Sequence, residues 1–158
     1  MNDHEISKIV ENVIKNIGNS QEMTLALAKK LAEKVEAESA KMGLNVVVAV
    51  SNSAARPVLV ECMDDSYMAS YDIAVKKAYT VVALKMSTKE LKPLCQPNQS
   101  LYGIQFTNDG QIVIFGGGVP LKVNGKIIGG LAVSGGSEEQ DTYLAEYGEK
   151  VFNELINK

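Results

Sequence analysis

Glycine placement constrains this chain more than any other feature. Eleven of its 13 glycines lie between Gly103 and Gly148. They occur as a triplet at 116–118, after Asn124 at position 125, and as doublets at 129–130 and 135–136. Asn-Gly between two apolar runs predicts a two-residue hairpin turn, and the other glycines predict tight turns or close backbone packing. The last third of the chain is therefore expected to form strands joined by tight turns.

The same glycines have a second interpretation, a phosphate cradle. Glycines ahead of a helix present N–H groups to an anion, and Ser134 and Ser137 would add hydroxyls. Their spacing matches neither the dinucleotide-binding pattern nor the P-loop. We therefore favour turns and close packing over phosphate binding.

Hydrophobic periodicity predicts the other elements. Helices are expected over about 22–42 and 66–85, after Ser87 and from Ser137 onwards. Strands are expected over 45–50, 57–63, 111–115, 119–123 and 126–134. This order predicts an α+β domain in which one antiparallel sheet is flanked by helices.

The first seventeen residues form a separate amphipathic unit. Six aliphatic side chains recur on one helical stripe: Ile6, Ile9, Val10, Val13, Ile14 and Ile17. A helix this short is marginal in water unless its stripe packs on something. Residues 18–21 predict a flexible joint, so the expected organisation is a helix (1–17), a linker (18–21) and a domain (22–158).

Composition argues against two classes of partner. Sixteen Lys plus Arg against 19 Asp plus Glu leave a net charge of −3, without the basic excess typical of nucleic-acid binding. No apolar run approaches the ~18 residues of a membrane span, and the N-terminus lacks a signal-peptide core. We expect a cytoplasmic protein with neither nucleic acid nor membrane as partner.

The single histidine, His4, limits the available chemistry. A Ser or Cys nucleophile would have to use this one imidazole as its base, which argues against hydrolytic triads. The two cysteines, Cys62 and Cys95, lack CxxC spacing and are too few for a closed Cys/His zinc site. We assign no catalytic residue and leave the identity of any metal ligand open.

A cluster between the second strand and the long helix is the candidate ligand surface. Asp64 and Asp65 suit a hard cation or acid–base chemistry, although capping of the following helix is the favoured role. Their neighbours carry sulfur or aromatic groups that suit a flat iron cofactor: Cys62, Met63, Tyr67, Met68 and Tyr71.

Taken together, the motifs resemble those of the GlcG/HbpS-like haem-binding family. The matching series is Ala74-x-x-Lys77-Ala78, Gly117-Gly118-Val119-Pro120-Leu121, Gly125-x-Ile127-Ile128-Gly129-Gly130-x-x-Val133-Ser134-Gly135-Gly136 and Gln140-Asp141. This family also supplies the C-terminal domain of propanediol-utilisation corrinoid adenosyltransferases. The resemblance implies a profilin-like fold, with a five-stranded antiparallel sheet flanked by helices on both faces, and assembly into homo-oligomers.

The resemblance also implies a cofactor and its site. Haem is the implied cofactor, and cobalamin is the less favoured alternative. The expected cofactor-binding residues are Cys62, Met63, Asp64, Tyr67, His4, Gly117 and Gly118. Met63 and Asp64 match the family pattern, whereas Cys62 stands where the family usually has Arg and Asp65 where it has Gly.

The N-terminal unit is similar to the encapsulation peptides that dock cargo inside bacterial microcompartments. Its aliphatic stripe would bind a shell or cargo protein; the alternative is packing on its own domain or at an oligomer interface. The leading expectation is an accessory haem- or corrinoid-binding protein in a microcompartment lumen. Two alternatives stay open: an enzyme acting on a tetrapyrrole or in cobalamin reduction or adenosylation, and a structural oligomer without ligand.

Overall fold

A four-stranded antiparallel sheet lies at the centre of the structure, a computed structural model that describes residues 4–9 and 22–157. The strands are β1 (Val47–Asn52), β2 (Pro57–Cys62), β3 (Gly118–Val123) and β4 (Lys126–Ser134). Their order is β2-β1-β4-β3, and each neighbouring pair is antiparallel. The predicted α+β class is confirmed.

Four helices surround the sheet. They are α1 (Leu25–Lys41), α2 (Met68–Ala83), α3 (Thr88–Leu91) and α4 (Glu138–Ile156), with short 3-10 turns at Lys92–Cys95, Ile104–Phe106 and Asn108–Gly110. Ser87 and Ser137 start α3 and α4 with capping boxes, in which Glu90 and Gln140 bond back to the cap. The predicted starts of these two helices are confirmed.

Helices cover both faces of the sheet, as expected. On one face, alternate residues of β1 and β4 pack against α1 and α4 in the larger apolar cluster; its fully buried members include Leu31, Val35, Val48, Val50, Leu131, Leu144 and Phe152. On the other face, Val47 and Ala49 pack against Ala74 and Ala78 of α2. The small side chains there allow α2 to lie close to the sheet.

The predicted fifth strand, residues 111–115, does not form, and the described residues hold four strands instead of five. In place of a neighbouring strand, a side chain of α2 forms hydrogen bonds with the backbone of residues 111–113. The Thr80 hydroxyl accepts the Val113 N–H at 3.0 Å and lies 3.2 Å from the Gln111 carbonyl oxygen. Ile112 is buried in a cluster with Leu91. The apolar run therefore marks a buried extended segment beside α2, and the five-stranded expectation is wrong.

Two strand details concern turns. Asn124 and Gly125 have φ of +50° and +77°, as the predicted two-residue hairpin requires. β1 extends to Asn52, two residues beyond its predicted end, because Ser51 and Asn52 pair with glycines of β4.

The N-terminal unit is described only in part. Residues 4–9 are helical, and Ile6 and Ile9 are exposed. The other stripe residues, Val10, Val13, Ile14 and Ile17, and the predicted linker lie outside the described residues. None of the described helices is long and apolar enough to cross a membrane.

Candidate functional site

The predicted ligand surface lies where β2 leads into α2. After β2 ends at Cys62, the Ser66 N–H donates to the Met63 carbonyl at 3.1 Å, which closes a turn. Asp65 lies in the left-handed region of this turn, with φ of +62°, a conformation that Asp tolerates better than most residues and Gly adopts freely. The turn fixes the direction in which the flanking side chains point.

The two sulfur groups at this turn are not equivalent. Cys62 pairs with Val47, whose side chain packs against α2, so the exposed thiol lies on the α2 side of the sheet. Met63 packs against the cluster under α1, and its Sδ accepts the Val46 N–H at 3.4 Å. The Cys62 sulfur is therefore available to a ligand. The Met63 sulfur is already engaged in a hydrogen bond within the fold.

Three large side chains are exposed at the start of α2. The exposed fractions of Tyr67, Met68 and Tyr71 are 73%, 96% and 54%. Residues three and four apart share one face of a helix, so Tyr71 lies beside both of the others. A contiguous group of exposed apolar side chains marks a candidate binding surface.

The register of α2 places this apolar face beside Cys62. Val75, one turn after Tyr71, and Val60 of β2 pack against the same small cluster, and Cys62 follows Val60 by two residues on the same face of the strand. Tyr71 therefore lies on the side of α2 that faces the Cys62 edge. We call Cys62, Tyr67, Met68 and Tyr71 the aromatic platform.

An open cavity of about 720 Å³ adjoins this edge of the sheet. It is lined by Glu36, Asn45, Glu61, Cys62, Met63, Asp64 and Asp65. Tyr67 is the N-cap of α2, and no side chain makes a capping hydrogen bond to the start of this helix, so the favoured assignment of Asp64 and Asp65 to capping is wrong. Within the described residues, no three His, Cys, Asp or Glu side chains are arranged to hold a metal ion.

A carboxyl pair at this cavity joins α1 to β2. Burial, the charge of Glu61 and the hydrogen bond between Glu61 and Glu36 together raise the pKa of Glu36 from 4.5 to about 7. A smaller contribution comes from Glu33. Glu36 therefore takes up a proton near neutral pH.

His4 is not brought to the platform by any contact of the described residues. It lies in the exposed helical segment 4–9. It is also absent from the residues that line the cavity beside Cys62 and Met63. Its assignment to the cofactor site stays a prediction.

Gly117 and Gly118 lie at the same end of the sheet as Cys62 but at the opposite edge. Three strand spacings separate the two edges, about 14 Å at ~4.8 Å per strand. Both glycines are buried. The Gly118 N–H donates to Thr88 Oγ1 at 2.9 Å, and the Gly117 carbonyl accepts the Val133 N–H at 2.8 Å. Their backbones serve the fold and do not join the aromatic platform.

Sequence reasoning missed a buried ion pair that joins the recognised motifs. Lys77 Nζ lies 3.1 Å from Asp141 Oδ2 and donates to the Val133 carbonyl at 2.9 Å. Asp141 Oδ1 accepts the Gly136 N–H at 2.8 Å. The available signal was the position of Lys77 on the inner stripe of α2, where a cation needs a buried partner.

Burial and ion pairing shift the pKa values of Lys77 and Asp141 in opposite directions. Desolvation lowers the pKa of Lys77, and the charge of Asp141 opposes that shift. Desolvation likewise raises the pKa of Asp141, opposed by Lys77 and by backbone N–H donors. Since Lys77 is fully buried, the pair fastens the glycine turns to α2 and does not present a ligand site.

Comparisons with known proteins match most of the domain. A family model described as "Haem degrading protein HbpS-like" matches residues 23–150. A 15.0 kDa protein of Citrobacter freundii from the dhaT-dhaS intergenic region is 47% identical over 133 residues, 84% of this chain and 94% of that protein. The corrinoid adenosyltransferase PduO of Salmonella typhimurium is 42% identical over 101 residues, 64% of this chain. The matched region spans 30% of the length of that PduO.

One solved structure with a related fold carries a ligand. The crystal structure of a PduOC:heme complex has a TM-score of 0.79 and 33% identity to this chain. The match covers 82% of this chain and 94% of that structure.

Proposed function

The chain belongs to the HbpS-like family, and from this premise we propose that it is an accessory haem-binding protein. A relative that shares the fold over 82% of this chain is described as a complex with haem. The observation that carries the proposal is the aromatic platform, where exposed aromatic and thioether groups flank an exposed thiol.

The platform fits the chemistry of haem. The rings of Tyr67 and Tyr71 and the thioether of Met68 offer an apolar surface to a flat porphyrin. Cysteine thiolate is an established class of haem-iron ligand, and Cys62 is the exposed thiol at this edge. Haem would supply an iron centre for redox or ligand-binding chemistry.

Haemin titration into the full chain, followed by the Soret absorption, tests the proposal. We expect a shifted Soret band with the natural sequence and a changed band with Cys62→Ser. The matched control is Cys95→Ala, because Cys95 is buried in a separate apolar cluster that contains no residue of β2; its spectrum is expected to be unchanged. A natural chain that leaves the haemin spectrum unaltered would overturn the proposal.

A corrinoid is the second candidate ligand, because two matched relatives are corrinoid adenosyltransferases. Cobalamin in the same titration separates the candidates. Spectral change with cobalamin but not with haemin would replace haem by a corrinoid and reopen the enzymatic alternative.

We also propose that residues 1–17 direct the protein to the lumen of a microcompartment by binding a shell or cargo protein. The exposure of Ile6 and Ile9 in the described helical part supports this role, since the apolar stripe is left uncovered there. The family resemblance further supports a homo-oligomer, which light scattering on the purified full chain tests.

A further inference from the structure

A basic cleft lies at the end of α2 remote from the aromatic platform. Its volume is about 390 Å³, and it is lined by Ser53, Val82, Lys85, Lys122, Gly125, Lys126 and Ile127. The platform lies at the start of α2, which is 16 residues long, and a helix of that length spans about 24 Å. The cleft is therefore a separate site from the proposed haem surface.

Three lysines from three segments of the chain line this cleft. Lys85 follows α2, Lys122 is on β3 and Lys126 begins β4. Within the described residues, none of the three has a carboxylate oxygen within 4.0 Å, whereas five other lysines do. The chain as a whole carries a net charge of −3, whereas the residues that line the cleft carry only positive charge.

The nearest acidic groups do not line the cleft. Lys122 exerts its charge on Glu90 and Glu149, so these two carboxylates partly balance one of the three lysines. Neither they nor any other Asp or Glu of the described chain is among the lining residues. Lys85 and Lys126 remain without a carboxylate partner at ion-pair distance.

The backbone at Lys85 is a second, independent sign of a specialised position. Lys85 follows the C-cap Leu84 and has φ of +58°. Gly or Asn usually occupies this left-handed position after a helix, because a Cβ comes close to the next carbonyl oxygen and only Gly lacks it, while Asn can offset the cost by a local hydrogen bond. Strained non-glycine residues concentrate at functional sites, and this one holds a cation at the cleft.

We propose that the cleft binds the phosphate group of a small molecule. Like charges around one cavity repel one another, and a dianion placed among them removes that repulsion. Lysines are common phosphate ligands, and the Ser53 hydroxyl adds a hydrogen-bond donor to the lining. Val82 and Ile127 supply an apolar wall for the rest of an organic phosphate.

Calorimetric titration of the full chain with inorganic pyrophosphate, at constant ionic strength, tests the proposal. The variant Lys85→Ala/Lys122→Ala/Lys126→Ala is expected to bind pyrophosphate at least about tenfold more weakly. The control Lys29→Ala/Lys30→Ala/Lys34→Ala removes the same charge from the exposed face of α1 and is expected to keep the natural affinity. Lys122→Ala alone, expected to show a smaller loss, serves if the triple variant fails to fold.

Two results would overturn the proposal. One is equal weakening in the cleft variant and the α1 control, which would reduce the effect to net charge. The other is absence of pyrophosphate binding by the natural chain, or binding of acetate that is just as tight. Titration with phenyl phosphate and with inorganic phosphate then identifies the source of the phosphate group. Tighter binding of phenyl phosphate assigns an organic phosphate, and equal affinity for the two assigns the free ion.

Discussion

The ammonium of Lys77 lies 3.1 Å from the carboxylate of Asp141, and both side chains are buried. The pair joins α2 to the first turn of α4, across 64 residues of sequence. It also contacts the two glycine turns, since Asp141 accepts the Gly136 N–H and a Cβ on Gly117 would meet Lys77. The sequence motifs that indicate the family are therefore in contact with one another around this buried ion pair.

Lys77→Met is expected to lower the free energy of unfolding by about 3–5 kcal/mol, because it leaves the Asp141 carboxylate buried without its partner. Urea unfolding followed by circular dichroism measures the change. In the double variant Lys77→Met/Asp141→Leu the loss is expected to be smaller than the sum of the single losses, since no lone charge remains. Additive losses, or a single loss below about 1 kcal/mol, would contradict this role of the pair.

Gly117→Ala is expected to destabilise the protein by about 3 kcal/mol, because overpacking costs about 1–3 kcal/mol and backbone strain at positive φ adds about 1 kcal/mol. A Cβ at Gly117 would lie 2.5 Å from Lys77 Nζ and 2.8 Å from the Val133 carbonyl oxygen. Gly110→Ala is the matched control: Gly110 also has positive φ but has no atom within 4 Å of its Cβ position. Its expected cost is about 1 kcal/mol, from backbone strain alone. Equal thermal unfolding midpoints for the two variants would refute the packing explanation.

The sequence predicts most of this fold because its signals are local. The capping boxes at Ser87 and Ser137, the hairpin at Asn124 and Gly125, and the apolar strand β1 each depend on a few neighbouring residues. These features depend little on distant parts of the chain.

The remaining features depend on distant contacts. Residues 111–115 have the apolar character of a strand, but Thr80, more than thirty residues away, binds their backbone. Lys77 becomes buried only because Asp141 comes to it from α4. At the candidate site, sequence indicates both Cys62 and Met63, and only strand alternation in the folded sheet shows that they point to opposite faces.

The Glu36–Glu61 pair predicts a pH dependence of stability. Burial, together with the charge of Glu61 and its hydrogen bond, raises the pKa of Glu36 from 4.5 in the unfolded chain to about 7 in the folded one. The folded state therefore holds this proton more tightly, so the contribution of Glu36 to stability is full below about pH 4.5 and is lost as the pH rises through about 7. Glu36→Gln keeps an uncharged donor at this position, and its stability relative to the natural chain is expected to increase from pH 5 to pH 8.

Urea unfolding midpoints at both pH values measure this difference. Glu139→Gln, at an exposed site on α4, removes the same formal charge away from the pair. The interpretation fails if Glu36→Gln gives a difference that does not change with pH, or one that changes no more than that of the control.

The exposed part of the N-terminal stripe leads us to expect that targeting can be abolished without affecting the folding of the domain. Ile6→Glu/Ile9→Glu is expected to leave the urea unfolding midpoint of the domain unchanged, because both side chains are exposed in the described segment. The same change is expected to abolish co-sedimentation with microcompartment shells, since a charged stripe does not pack on an apolar partner. Lys8→Glu, on the polar face opposite the aliphatic stripe, is the control and should still co-sediment with the shells. A lowered unfolding midpoint would instead assign the stripe to the core of the domain.

The aromatic platform makes the proposed haem site testable against a second apolar surface of the same molecule. Leu94, Tyr102 and Phe106 are also exposed, on the segment between α3 and β3. They provide a control in which side chains of similar size are removed away from Cys62.

The most direct test is the haemin affinity, from Soret titration, of Tyr67→Ser/Met68→Ser/Tyr71→Ser compared with Leu94→Ser/Tyr102→Ser/Phe106→Ser. We expect the platform variant to bind haemin about a hundredfold more weakly than the natural chain, a loss of about 2.7 kcal/mol. The control variant should stay within about threefold of the natural affinity. Unchanged affinity in the platform variant, or a loss confined to the control, would contradict haem binding at this surface.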